Sequence, residues 1–192
     1  MITCLSMKIA ILAWGSLFWD PRNLETSGEW FYDVPLLPIE FARISGGNRL
    51  TLVIKNGFEP VVTLYAISPF NTIEEARANL QSRESTPNID NIGFIDFANN
   101  TSQVRAANEF ILPILKQWNE AKGFDAIIWS DFSPRFTDTL GQSFTLSNVI
   151  SYLDQLPDAE KAEALKYIRN APPQITTRFR KAIQEDFQGA YL

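Results

Sequence analysis

The chain has 192 residues, 45% of them hydrophobic and 12% aromatic, enough for one substantial core or for one core with an appended subdomain. Its 17 Lys and Arg against 22 Asp and Glu leave a formal charge of -5 with no dense basic run, which argues against an electrostatic grip on a nucleic-acid backbone. There is no histidine and a single cysteine, Cys4, which excludes Ser-His and Cys-His nucleophile pairs, histidine zinc sites and a disulfide within the chain. Proton transfer then falls to a carboxylate, a tyrosine, a lysine or a bound group, and neither a metal nor a cofactor is expected. Only Lys8 precedes the first apolar run, no small-x-small cleavage pattern follows it, and no window reaches about 18 apolar residues. The expectation is a cytoplasmic protein without a membrane span.

Lys8–Trp14 reads as a strand covered on both faces, emptying into Trp14-Gly15-Ser16-Leu17 and cut by Asp20-Pro21. Leu36–Ile44 and Arg49–Ile54 flank Ser45-Gly46-Gly47-Asn48 and predict a hairpin. Glu59–Ser68 predicts a further strand, ended by Pro69. The period then changes: Thr72 followed by Glu75 is a capping box, and Ile73, Ala76 and Leu80 keep helical spacing to about residue 83. Pro87 and Asn88–Asn91 make a loop. Ser102–Ala121 reads as helical, with Pro113 as a kink or break and Gly123 as the stop. Phe124–Ser130 predicts a central strand, and Asp131–Thr145 a connector or a lid. Ser147 is placed to cap Asn148–Gln155 and Asp158 to cap Ala159–Asn170, with a last helix over Gln174–Phe187. The expected architecture is α+β, a small mixed β-barrel with flanking helices over residues 1–145, followed by a C-terminal helical extension over 146–192.

Two features carry chemistry. The loop after the first strand can offer backbone N–H groups to an anion or carbonyl, since Gly15 allows a close approach that a side chain would block. Most such turns are simply turns. The second is Glu84, at the end of the helix that begins near Ile73. A carboxylate there is ordinarily solvated, and the helix macrodipole disfavours it.

An N-terminal strand ending in an aromatic residue, glycine, serine and leucine, then hairpins, a Val-x-Leu-Tyr strand and a helix with Leu-x-x-x-Glu is the order found in the γ-glutamyl cyclotransferase-like family. The chain resembles it at Trp14-Gly15-Ser16-Leu17, at Val61-Val62-Thr63-Leu64-Tyr65 and at Leu80-Gln81-Ser82-Arg83-Glu84, roughly over residues 8 to 130. Trp14 stands where tyrosine is common, and Ser85 where one branch has glycine. The resemblance implies that the amides of Gly15, Ser16 and Leu17 hold a γ-glutamyl moiety and that Glu84 is the acid/base residue. The partner would be a small γ-glutamyl molecule. The chemistry suits this composition: the substrate's own α-amine attacks its γ-carbonyl and releases 5-oxoproline, so one carboxylate and an anchor suffice. Gly15 and Glu84 are then expected to face one pocket.

Tyr65 is a further candidate for a substrate hydrogen bond, or a core tyrosine with its hydroxyl at the rim. Asp131 is a strand-end carboxylate that either joins a site or caps a turn. Arg43 and Arg49 can clamp a carboxylate or sit in solvent on the hairpin. Trp19, Trp30 and Phe31 wall a pocket or belong to the core, and Thr176 to Arg180 reads as a helix start with solvated arginines. Two other function classes fit the same sequence: a non-catalytic small-ligand or protein-binding module, and hydrolysis by a carboxylate pair, Glu84 with Asp131 or Glu40.

Overall fold

The computed structural model describes residues 6–191, and Cys4 lies outside the described residues. Its elements in chain order are β1 (Ile9–Ala13), β2 (Ser27–Phe31), β3 (Leu36–Ile44), β4 (Leu50–Ile54), β5 (Pro60–Val62), β6 (Leu64–Ile67), α1 (Ile73–Glu84), β7 (Ile92–Asp96), β8 (Thr101–Gln103), α2 (Ile111–Lys122), β9 (Ala126–Ser130), α3 (Phe136–Leu140), α4 (Leu146–Gln155), α5 (Asp158–Asn170) and α6 (Arg178–Asp186). The protein is mixed α+β, and its strands form two sheets. Neither sheet closes into the small barrel expected from the sequence. No helix among the described residues is long and apolar enough to cross a membrane. The chain divides into two compact units: residues 6–13, Asp20–Leu36 and Val62–Phe132 form the first, and Trp14–Trp19, Leu37–Val61 and 133–191 the second. The helices expected as a C-terminal extension belong to the second unit.

The first unit is built on a six-stranded sheet of order β2-β6-β1-β9-β7-β8. β1 is buried along its whole length because it lies inside the sheet, antiparallel to β6 and parallel to β9. β9 pairs β1 on one side and β7 on the other, which explains its nearly uncharged sequence. Parity fixes the faces. Ser130 and Ile128 of β9 share one face with Phe94 of β7, and Arg77 of α1 lies over the Phe94 ring at 4.5 Å, so α1 covers that side. On the opposite side Leu12 pairs Tyr65, whose ring meets Trp118 of α2 at 5.2 Å.

Three readings are corrected in this unit. The run Glu59–Ser68 is not one strand: it breaks at Thr63, leaving β5 in the three-stranded sheet and β6 in the six-stranded one. Ser102–Phe110 is not α-helical: Ser102 and Gln103 pair with β7 as β8, and only a short 3-10 turn forms, at Ala106–Asn108. Helix α2 begins only at Ile111 and places Pro113 in its first turn, where no N–H is needed, so the proline marks a start rather than a kink. Strands β2 and β7 carry no strong sequence signal: β2 is an exposed edge strand, and β7 is interrupted by Gly93.

The second unit holds the three-stranded sheet β4-β3-β5 and α3 to α6. The β3–β4 hairpin turns through Gly47 at φ 69°, a left-handed conformation that glycine adopts without strain. Asn48 in that turn donates to Glu160 of α5 at 2.6 Å, and its carbonyl accepts from the Tyr152 hydroxyl of α4 at 2.7 Å. Thr145, not Ser147, caps α4 by accepting from the Asn148 N–H. Thr177 caps α6, so this helix starts later than residue 174. Arg180 is not solvated. It is buried, and its guanidinium donates to the carbonyls of Pro172, Ile175, Arg169 and Ala171, gathering the carbonyl groups left over where α5 ends.

Glu40 on β3 is 1% exposed and anchors the start of α6. It accepts from the Thr177 hydroxyl at 2.7 Å and from the N–H groups of Phe41 at 2.8 Å and Phe179 at 3.3 Å. Burial outweighs these donors and pushes its carboxyl above the ordinary value of 4.5. The folded protein therefore holds this proton more tightly than the unfolded chain does. The stabilising contribution is full below pH 4.5 and is lost as pH rises through the raised value. Thermal unfolding of wild type and Glu40→Gln across this range is expected to give diverging profiles, with wild type losing Tm relative to the variant as pH rises. Parallel profiles would show that the Glu40 carboxyl is not perturbed.

Candidate functional site

Helix α1 is nucleated by its capping box: Thr72 accepts from the Glu75 N–H at 3.2 Å, and its hydroxyl bonds the Glu75 carboxylate at 2.9 Å. Ile73, Ala76, Leu80 and Arg83 face inward, and this phase leaves Glu84 as the last helical residue at the margin of the packed face. Ser85 ends the helix in the left-handed conformation at φ 50°, the position where glycine is usual, and its N–H closes onto the Gln81 and Ser82 carbonyls.

The Glu84 carboxylate is fixed at both oxygens. Oε1 accepts from the Ser130 hydroxyl at the end of β9 at 2.7 Å, and Oε2 accepts from Arg83 Nη1 at 3.3 Å. Arg83 is buried, and its Nη2 donates to the Asp20 carbonyl at 2.6 Å. Asn23 and Glu25 extend this framing strip along α1 through Ser82 and Asn79. The macrodipole penalty at this helix end is about 0.3–1 kcal/mol. A hydrogen bond to a charged group contributes about 1.5–3 kcal/mol, so the Ser130 and Arg83 contacts outweigh it. With its side chain 16% exposed, Glu84 is anchored yet open to a ligand. Such a carboxylate can take a proton from a bound group and return it.

Asp131, one residue beyond Ser130, has a different task. It is fully buried, and its carboxylate accepts from the Arg105 N–H and from Asn108 Nδ2, each at 2.6 Å. Its backbone carbonyl accepts from the Arg105 side chain. Asp131 thereby fixes the turn between β8 and α2, as a structural cap would. Glu40 is likewise buried and committed to α6. Neither carboxylate is open to the water that pairwise hydrolysis with Glu84 requires.

Tyr65 is not brought beside Glu84, because it lies on the α2 face of the sheet while Glu84 lies on the α1 face. Its ring stacks on Phe31 at 4.9 Å and meets the edges of Trp118 and Phe124. Its polar neighbours are Asp33 and Lys122, which bond each other. The Lys122 ammonium lowers the Asp33 carboxyl below its usual value. Phe31 is part of this cluster rather than the wall of a pocket.

In the second unit, Trp14, Gly15 and Leu17 are buried and Ser16 is half-buried. The loop closes as a turn, the Phe18 N–H donating to the Gly15 carbonyl at 3.1 Å. Gly15 is not in the left-handed region. Space at Gly15 is limited by a neighbour: a Cβ there would lie 2.9 Å from the hydroxyl of Tyr167 on α5, the far end of a side chain. Trp19 meets the Tyr167 ring edge-on at 5.2 Å, and the Arg49 guanidinium lies 6.0 Å from its centre. Arg43 donates to the Ser133 carbonyl. Sequence reasoning missed Ser130 and Tyr167. Ser130 had a signal, a lone hydroxyl closing an apolar strand, but Tyr167 sits on an unremarkable helix.

No group of three or more Cys, Asp or Glu side chains placed to hold a metal ion occurs among the described residues. No family model, curated protein or solved structure matches the chain.

Proposed function

We propose that this protein is a γ-glutamyl cyclotransferase-like enzyme of the cytoplasm that releases 5-oxoproline from a γ-glutamyl amine or peptide. The observation that carries the reading is the Glu84 carboxylate, anchored by Ser130 and Arg83 and still open to a ligand. The neutral α-amine nitrogen of the substrate forms a bond to its γ-carbonyl carbon, and the bond from that carbon to the leaving nitrogen breaks. Glu84 removes the proton from the attacking nitrogen and delivers it to the leaving one, so no oxidant, metal or side-chain nucleophile enters the balance. The amides of Gly15, Ser16 and Leu17 hold the γ-glutamyl moiety, with Trp14 introducing the loop. The α+β build, with a buried first strand running into this loop, supports a cyclotransferase-like fold.

The test is incubation with glutathione, γ-glutamyl dipeptides and γ-glutamyl amines, with 5-oxoproline detected by mass spectrometry. Product from at least one of them is expected. Binding without product would turn the reading toward a non-catalytic ligand-binding module.

A further inference from the structure

The second unit carries a cavity of about 630 Å³ at the start of α6, a size within the range of small-molecule sites. Its floor is fixed in advance. Ile175 is fully buried, and the segment that leads to it is tied by Arg180, whose guanidinium donates to the carbonyls of Ala171, Pro172 and Ile175. Glu40 accepts from the Thr177 hydroxyl and the Phe179 N–H, and Thr177 accepts from the Arg180 N–H. These groups are spent on holding the floor, so the helix N-terminus is not the binding element.

The rim is different. Arg178 and Lys181 line the cavity, are exposed, and stand three residues apart, on one face of α6. Neither side chain has a hydrogen bond or ion pair among the described residues. No acidic residue occupies the first turn of this helix. Glu59 is the one carboxylate in the lining, against three cations, so the cavity is locally positive on a chain whose formal charge is -5. Pro173 and Ile175 supply apolar surface beside these cations. Cations at the rim of an apolar concavity orient an amphiphilic anion, with its body on the floor and its head between the charges.

We infer that this cavity binds a small organic anion, a carboxylate, sulfonate or phosphate on an apolar body. Arg178 and Lys181 hold the head, and Pro173 and Ile175 receive the body. The site contains neither Glu84 nor the glycine loop, so it stands or falls independently of the cyclotransferase reading.

The probe pair is 8-anilinonaphthalene-1-sulfonate and N-phenyl-1-naphthylamine, the same ring system without the sulfonate. Fluorescence titration of the full chain is expected to show saturable sulfonate binding and weaker binding of the neutral amine. The double variant Arg178→Gln, Lys181→Gln should weaken the sulfonate at least about tenfold and leave the neutral amine unchanged, because only charge-assisted contacts are removed. Both positions are exposed, so Tm should hold; if it does not, Lys181→Gln alone carries the same comparison. Thr176 is also exposed and lines the cavity, so Thr176→Trp fills it from the rim and should abolish binding of both probes. Equal sulfonate binding by wild type and the charge variant, an equal loss of both probes in that variant, undiminished binding by Thr176→Trp, or no sulfonate binding by wild type overturns the assignment.

Discussion

Glu84→Gln is expected to lower 5-oxoproline release by about a factor of 10²–10⁴, the range contributed by a positioned general acid/base. The substitution preserves shape and leaves the Ser130 hydroxyl an oxygen to bond, so the loss is chemical rather than architectural. It does remove the charge facing Arg83, and the amide places an N–H₂ or a neutral oxygen against a buried guanidinium. Arg83 keeps the Asp20 carbonyl, so the stability cost should stay within about 1.5–3 kcal/mol, that of one charged hydrogen bond. Circular dichroism and thermal unfolding check that the fold survives, and a quantitative 5-oxoproline assay measures the rate. Ser130→Ala should be milder, since it frees the carboxylate without removing it.

Gly93→Ala is expected to be the most damaging small substitution in the first unit. A methyl at Gly93 would lie 2.5 Å from Trp129 Cε2 and 2.6 Å from Cζ2. Trp129 is fully buried, and the two residues are direct partners across β7 and β9. A rigid indole packed inside the sheet cannot yield by that distance without shifting both strands. Overpacking of this kind costs about 3 kcal/mol, at the upper end of the usual range. The neighbouring register pair joins Ile92 to Ser130, so the displaced strand also carries the Glu84 anchor. Activity should therefore fall with stability. Urea denaturation monitored by tryptophan fluorescence reads the loss, and a change below about 1 kcal/mol, the size of an ordinary point mutation, would contradict the packing account.

The elements with strong local chemistry were legible in the sequence. Thr72 and Glu75 announce α1, the Gly46-Gly47 turn announces the β3–β4 hairpin, and the uncharged run ending at Ser130 announces a central strand. What was not legible depends on distant partners. Thr63 looks like the middle of a strand, and nothing local says that pairing switches sheets there. Ser102 and Gln103 suit a helix until β7 claims them. Arg180 resembles a surface cation on an amphipathic helix, yet it is committed to four carbonyls of a neighbouring segment. For the site, Glu84 could be singled out only through its order relative to other motifs. Its anchors, Ser130 and the strip at Asp20, are separated from it by 46 and 64 residues and leave no mark on the helix itself. Tyr65 matched the expected motif but fell on the opposite face of the sheet, since the alternation along a strand is set by pairing that the motif does not encode.

The most direct measurement is 5-oxoproline formation from γ-glutamyl p-nitroanilide and glutathione by wild type and Glu84→Gln, quantified side by side by mass spectrometry. The account predicts product from wild type on at least one of the two and a loss of at least about a hundredfold in the variant, whose fold is retained. Equal turnover by the two proteins, or none by wild type, would contradict it.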